Sequence, residues 1–142
     1  MTIAMSVAAL SVLSLIIGFL VHAMLLGPEY MKLPSLFRPE ADAQNYFGFM
    51  LLAHVFIGFG LTWVYRQGRQ AKPFLAQGVR FGVAMSVLIV VPMYLIYYAV
   101  QPMPGALVAK QIVFDSIGMV VMGIVAAWIN QRGAPAGVAI PA

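Results

Sequence analysis

Four apolar runs, each long enough to cross a hydrocarbon layer, alternate along this chain with three polar connections. They cover about residues 2–26, 46–65, 81–100 and 111–128. A helix of roughly 20 residues rising about 1.5 Å per residue spans the roughly 30 Å bilayer core. The pattern predicts an all-α fold, a membrane-embedded four-helix bundle made of two helical hairpins. Residues 1–130 form one four-span domain, and residues 131–142, rich in Gly, Pro and Ala, form a flexible tail.

Small and polar residues mark the faces that should meet. In the first run Ser11, Ser14, Gly18 and His22 recur at three- and four-residue steps, on one side of a helix. This run lacks the basic start of a signal peptide and exceeds the length of an h-region, so it is expected to be an uncleaved span. Gly27-Pro28 stops it. Arg38-Pro39-Glu40-Ala41-Asp42 reads as a helix start, with Pro in the first turn and acids at the positive end of the dipole. The second run is bracketed by Tyr46 and by Trp63 and Tyr65, the aromatic belt of a spanning helix, and carries His54 near mid-depth. Gly78, Gly82 and Ser86 make a small-residue ladder in the third, and Pro92 predicts a kink there. Asp115 stands about one turn inside the fourth.

Composition strengthens this picture. The chain is 63% hydrophobic and 8% charged, with mean hydropathy +0.95, whereas soluble domains carry about 25% charged residues. The net charge of +4 arises largely from one loop, since four of the eight Lys/Arg lie between Arg66 and Arg80. Four spans put both chain ends and this loop on one side. That side holds Arg66, Arg69, Lys72, Arg80 and Arg132, against Lys32, Arg38 and Lys110 opposite. The bias predicts a multi-pass protein of the bacterial inner membrane with both termini cytoplasmic. It also accounts for the basic pI without a nucleic-acid partner; the partners expected are the bilayer and either a second copy or another membrane protein. With no cysteine there is no thiolate nucleophile, disulfide or Cys-metal site.

In this arrangement His22, His54 and Asp115 lie roughly 7, 13 and 6 Å below the outer surface, with Tyr94 at comparable depth. Ionisable groups at such depth usually face the bundle or a wet cavity. The candidate site is therefore an outer-half ligand pocket or proton relay of His54, Asp115, His22 and Tyr94, with His54 and Asp115 sharing it. Structural service is the competing reading for each: a bond to a neighbouring backbone, or a place among the headgroups. Two histidines are the minimum for bis-His ligation, so haem b is an alternative. The estimated depth difference of about 6 Å counts against it, and no cofactor is predicted. A His/His/Asp metal site has no motif spacing behind it, and no metal is predicted. No GxSxG, HExxH, P-loop or GxGxxG motif occurs.

Phe47-Gly-Phe-Met-Leu-Leu-Ala-His54, Val91-Pro-Met-Tyr94 and Phe114-Asp-Ser-Ile-Gly118 together resemble small four-span bacterial integral membrane proteins of unknown function. The resemblance implies an inner-membrane helical bundle and carries no catalytic residue. Nothing in the sequence demands turnover, so the expected role is non-enzymatic: binding, or service as an accessory subunit. The alternative is a cofactor-binding or proton-coupled protein using His54 and Asp115.

Overall fold

The computed structural model describes residues 2–70 and 72–131; the tail expected over 131–142 lies essentially outside the described residues. Among these residues the protein is all-helical, with four helices long and apolar enough to cross a membrane. They are Ile3–Leu25, Glu40–Gly68, Phe74–Val100 and Gly105–Asn130, here the first to fourth spans. Three of them extend past the apolar runs by several residues. Hydropathy sees only the hydrocarbon-embedded part of a helix, while the hydrogen-bonded ladder continues into the headgroup zone.

Local chemistry accounts for the ends. The Thr2 hydroxyl accepts from the Met5 amide at 3.3 Å and caps the first span. Pro39 stands just before the short helix Glu40–Ala43, its carbonyl accepting from the Asp42 and Ala43 amides, and this helix leads through a 3-10 turn into Phe47–Gly68. Two π-helical segments interrupt the α ladders, at Phe19–Leu25 and at Ser86–Val90. Pro92 follows the second of these in the first turn of Val91–Val100, where its missing N–H is tolerated.

Small residues set how closely the spans approach. A Cβ on Gly82 would lie 2.5 Å from Val120 Cα, and one on Gly78 would lie 2.5 Å from Ile124 Cα. Only glycine admits the fourth span at these points. Gly58 of the second span likewise abuts Ser11 and the Val7 carbonyl of the first. The first span thus packs on the second, the third on the fourth, and the first on the fourth. The fourth span is central: its apolar window is 33% buried, against 17% for each of the others.

Two cores follow, one at each end. Towards the Arg66–Arg80 loop, Leu10, Leu61, Tyr65, Met122, Ala126 and Ile129 pack together. Towards the 26–39 connection, Val21, Leu26, Val90, Tyr94, Met103 and Leu107 do so, with Tyr30, Leu33, Leu36 and Phe37 of that connection laid against them. The outward faces are strongly apolar: Phe49, Phe56, Val87, Leu88 and Val100 are each 66–72% exposed. Water would penalise such a surface, whereas lipid covers it.

Candidate functional site

The polar residues gather at the end bearing the 26–39 connection. His22 lies within the π-helical segment of the first span, whose wide turn closes with the Leu26 amide donating to the Val21 carbonyl at 2.8 Å. One-turn π segments often occur at functional sites. Gly27–Tyr30 then forms a short helix with Pro28 in its first turn, folding Tyr30 back towards His22. Gln111 and Asp115 stand one turn apart on the fourth span and so share a face. Tyr94 reaches them from the third.

These five side chains form one polar chain. Gln111 Nε2 donates to the Tyr30 hydroxyl at 3.2 Å. The same hydroxyl lies 2.7 Å from His22 Nδ1. His22 Nε2 lies 3.3 Å from Asp115 Oδ1, an ion pair whenever the imidazole is protonated. The Tyr94 hydroxyl donates to the other oxygen, Asp115 Oδ2. Donor accounting orients the chain: with Gln111 donating, the Tyr30 O–H is left to serve Nδ1, and Nε2–H then faces the carboxylate. All of these donors point towards Asp115. Burial pushes the Tyr30 hydroxyl above its ordinary pKa; the Gln111 bond opposes this, and the charges of Asp115 and Glu29 add to it. Tyr30 therefore keeps its proton at neutral pH.

The site is partly buried. The His22 side chain is 39% exposed and that of Asp115 is 18% exposed. Beside it, Lys110 pairs with Glu29 and so ties the fourth span to the 26–39 connection. A neighbouring cavity of about 340 Å³ is lined by Glu29, Lys32, Leu33, Pro104, Leu107 and Lys110, and by none of the five side chains.

His54 stands apart from this chain. Its Nδ1 hydrogen-bonds Ser14 Oγ, and its ring edge lies against Gly18, where an added Cβ would come within 3.1 Å of Cε1. Gly18 precedes His22 by one turn on the first span, so the two histidines sit at different heights. Among the described residues, the polar contacts of Asp115 go to His22 and Tyr94, and that of His54 goes to Ser14. Both ring nitrogens of His22 are engaged, so an iron ligated there would displace Tyr30 or Asp115. Among the described residues no group of three or more His, Cys, Asp or Glu stands ready for a metal.

Sequence reasoning located His22, Tyr94 and Asp115 but not Tyr30 or Gln111. Gln111 carried a usable signal, since it lies four residues before Asp115 on the same helix face. Tyr30 carried none, because its position depends on how the connection folds back. No protein-family model matches this chain, and neither a curated protein nor a solved structure is similar to it.

Proposed function

We propose that this chain is a small, non-enzymatic protein of the bacterial inner membrane that holds a small polar ligand in the outer half of its bundle. In this reading it acts as a binding or accessory subunit. The observation that carries the reading is the chain Gln111–Tyr30–His22–Asp115–Tyr94, drawn from four segments into one continuous set of polar contacts. The cavity edged by Glu29, Lys32 and Lys110 gives a polar ligand its approach. The spans form two hairpins, first with second and third with fourth, the third bending at Pro92 beside its π-helical segment. Both termini and the Arg66–Arg80 loop face the cytoplasm, which the positive charge of that loop supports.

A second reading has a specific observation behind it. A histidine and a carboxylate in contact, flanked by two hydroxyls, are the parts of a proton relay, and here they are His22 and Asp115 rather than His54 and Asp115. Haem b would have to break an existing histidine contact, and it is the weaker form of the cofactor alternative.

Native mass spectrometry of protein released gently from its membrane tests the binding reading. A reproducible small-molecule adduct on the wild type, lost in Asp115→Asn, is expected; bare protein in both would contradict it. A visible spectrum of the same sample shows haem directly. Orientation is tested by single cysteines, since the chain has none of its own. Ser35→Cys should react with an impermeant reagent on intact cells and Gln70→Cys should not.

A further inference from the structure

The basic-loop end holds a second feature that the polar cluster does not explain. All four carboxylates of the chain, Glu29, Glu40, Asp42 and Asp115, lie in the 26–46 connection or at the link end of the fourth span. The Arg66–Arg80 loop carries four positive charges, and no Asp or Glu occurs anywhere between residues 43 and 114. Arg66 and Arg69 do find partners, the side-chain and backbone oxygens of Asn130 at 3.2 and 3.3 Å. Those oxygens are neutral, so they fix the side chains without cancelling the charge. Arg80 is exposed and, among the described residues, has no hydrogen-bond or ion-pair partner.

Arg80 lines a notch between the second and third spans. The notch measures about 240 Å³ and is bounded by Val64, Tyr65, Gly68, Gln70, Gln77 and Phe81 besides Arg80. Its wall is set in advance by a clamp. The Gln77 amide accepts from the Gln70 N–H at 2.9 Å and donates to the carbonyls of Gln70 at 2.6 Å and Lys72 at 2.8 Å. Arg80 sits three residues further along the same helix face. Tyr65 and Phe81 meet edge to face at 5.3 Å at the floor. The notch is thus polar and cationic at its rim and aromatic and aliphatic at its base.

We propose that this notch binds an anionic phospholipid of the adjoining leaflet. The phosphate would be held by the Arg80 guanidinium, and an acyl chain would lie along Val64 and Phe81. Three observations select this occupant. Among the described residues the Arg80 guanidinium meets no carboxylate. Guanidinium matches a phosphate in two-pronged geometry and is readily desolvated. The apolar base opens at the end of two spans, where a lipid places its headgroup above its tails. A free phosphate would use the rim and leave that base empty. The proposal does not depend on the polar cluster, and it holds whichever leaflet contains the loop.

The test uses the full chain in neutral detergent, titrated with dioleoyl-phosphatidylglycerol or dioleoyl-phosphatidylcholine, with bound lipid counted by native mass spectrometry. Arg80→Gln should weaken phosphatidylglycerol binding about fivefold, the effect of one interfacial charge. Arg38→Gln, an equal loss of charge at the opposite end, should leave it unchanged. Val64→Trp fills the notch at constant charge and should weaken the same lipid, so the result does not rest on one variant. Phosphatidylcholine binding should be weaker throughout and insensitive to Arg80→Gln. Equal binding of the two lipids, equal losses in Arg80→Gln and Arg38→Gln, or displacement of the lipid by millimolar inorganic phosphate would each overturn the proposal.

Discussion

The two ends of the bundle are held together by different physics. At the basic-loop end, helices approach until backbone meets backbone: Gly78 and Gly82 against the fourth span, Gly58 against Ser11 and Val7. The force there is dispersion between closely fitted surfaces, and the requirement is the absence of side chains. At the other end glycine seams of this kind give way to an apolar core crossed by a chain of hydrogen bonds between the first, third and fourth spans. The second span shows this most clearly. From Gln44 to Ile57 every residue except His54 is exposed, nearly four turns on all sides. The lesson is a division of labour: close packing fixes the fold at one end and leaves polar groups free to be arranged for a ligand at the other.

Variants that place bulk in the close-packed end should break this comparison hardest. Gly82→Leu is expected to cost about 3 kcal/mol or to prevent assembly, because a side chain there meets the backbone of Val120 rather than a flexible group. Val83→Leu, at a position 48% exposed, should be nearly silent in the same detergent melting series. Equal tolerance of the two would remove the glycine seam from the account.

Polar deletions should act more mildly, and on separate units. Asp115→Asn is expected to cost about 2 kcal/mol, since a charged acceptor of two partners is lost. Ser14→Ala should cost about 1 kcal/mol by leaving His54 without its bond. It should leave any adduct that depends on Asp115 in place. Loss of that adduct in Ser14→Ala would merge His54 into the ligand site and blur the distinction drawn here.

The smallest effect concerns alkaline pH. A hydroxyl whose pKa is higher in the folded state than in the unfolded chain adds stability that is complete below the unfolded value of about 10. That contribution is lost as pH rises above 10 through the folded value. Tyr30 is such a group. Wild-type melting temperature should fall between pH 10 and 11 more steeply than that of Tyr30→Phe; parallel curves would contradict the burial of this hydroxyl.

How much of this was legible in the sequence follows the same division. The four spans were readable because a bilayer imposes length and hydropathy on every crossing segment. The close-packed faces were also readable, since Ser11, Ser14 and Gly18, and Gly78, Gly82 and Ser86, repeat at helical spacing on the sides that meet neighbours. Polar partnerships were not. Counting residues gives the height of His22, His54 and Asp115 along the bundle, but not which way each faces or which helices are adjacent. The first span packs on both the second and the fourth, so His54 meets Ser14 while His22 reaches Asp115. The lone exposed arm of the second span follows from that order, as does the role of Tyr30, whose place is set by a connection that no helical period describes.

The most direct test of the central claim is a pair of double-mutant cycles read by thermal or denaturant unfolding in one detergent. The first combines His22→Ala with Asp115→Asn, and the second combines His54→Ala with Asp115→Asn. The account predicts a coupling of about 1 kcal/mol in the first cycle and additivity within about 0.5 kcal/mol in the second. Additivity in the first cycle, or a larger coupling in the second, would contradict a polar site organised around His22 and Asp115.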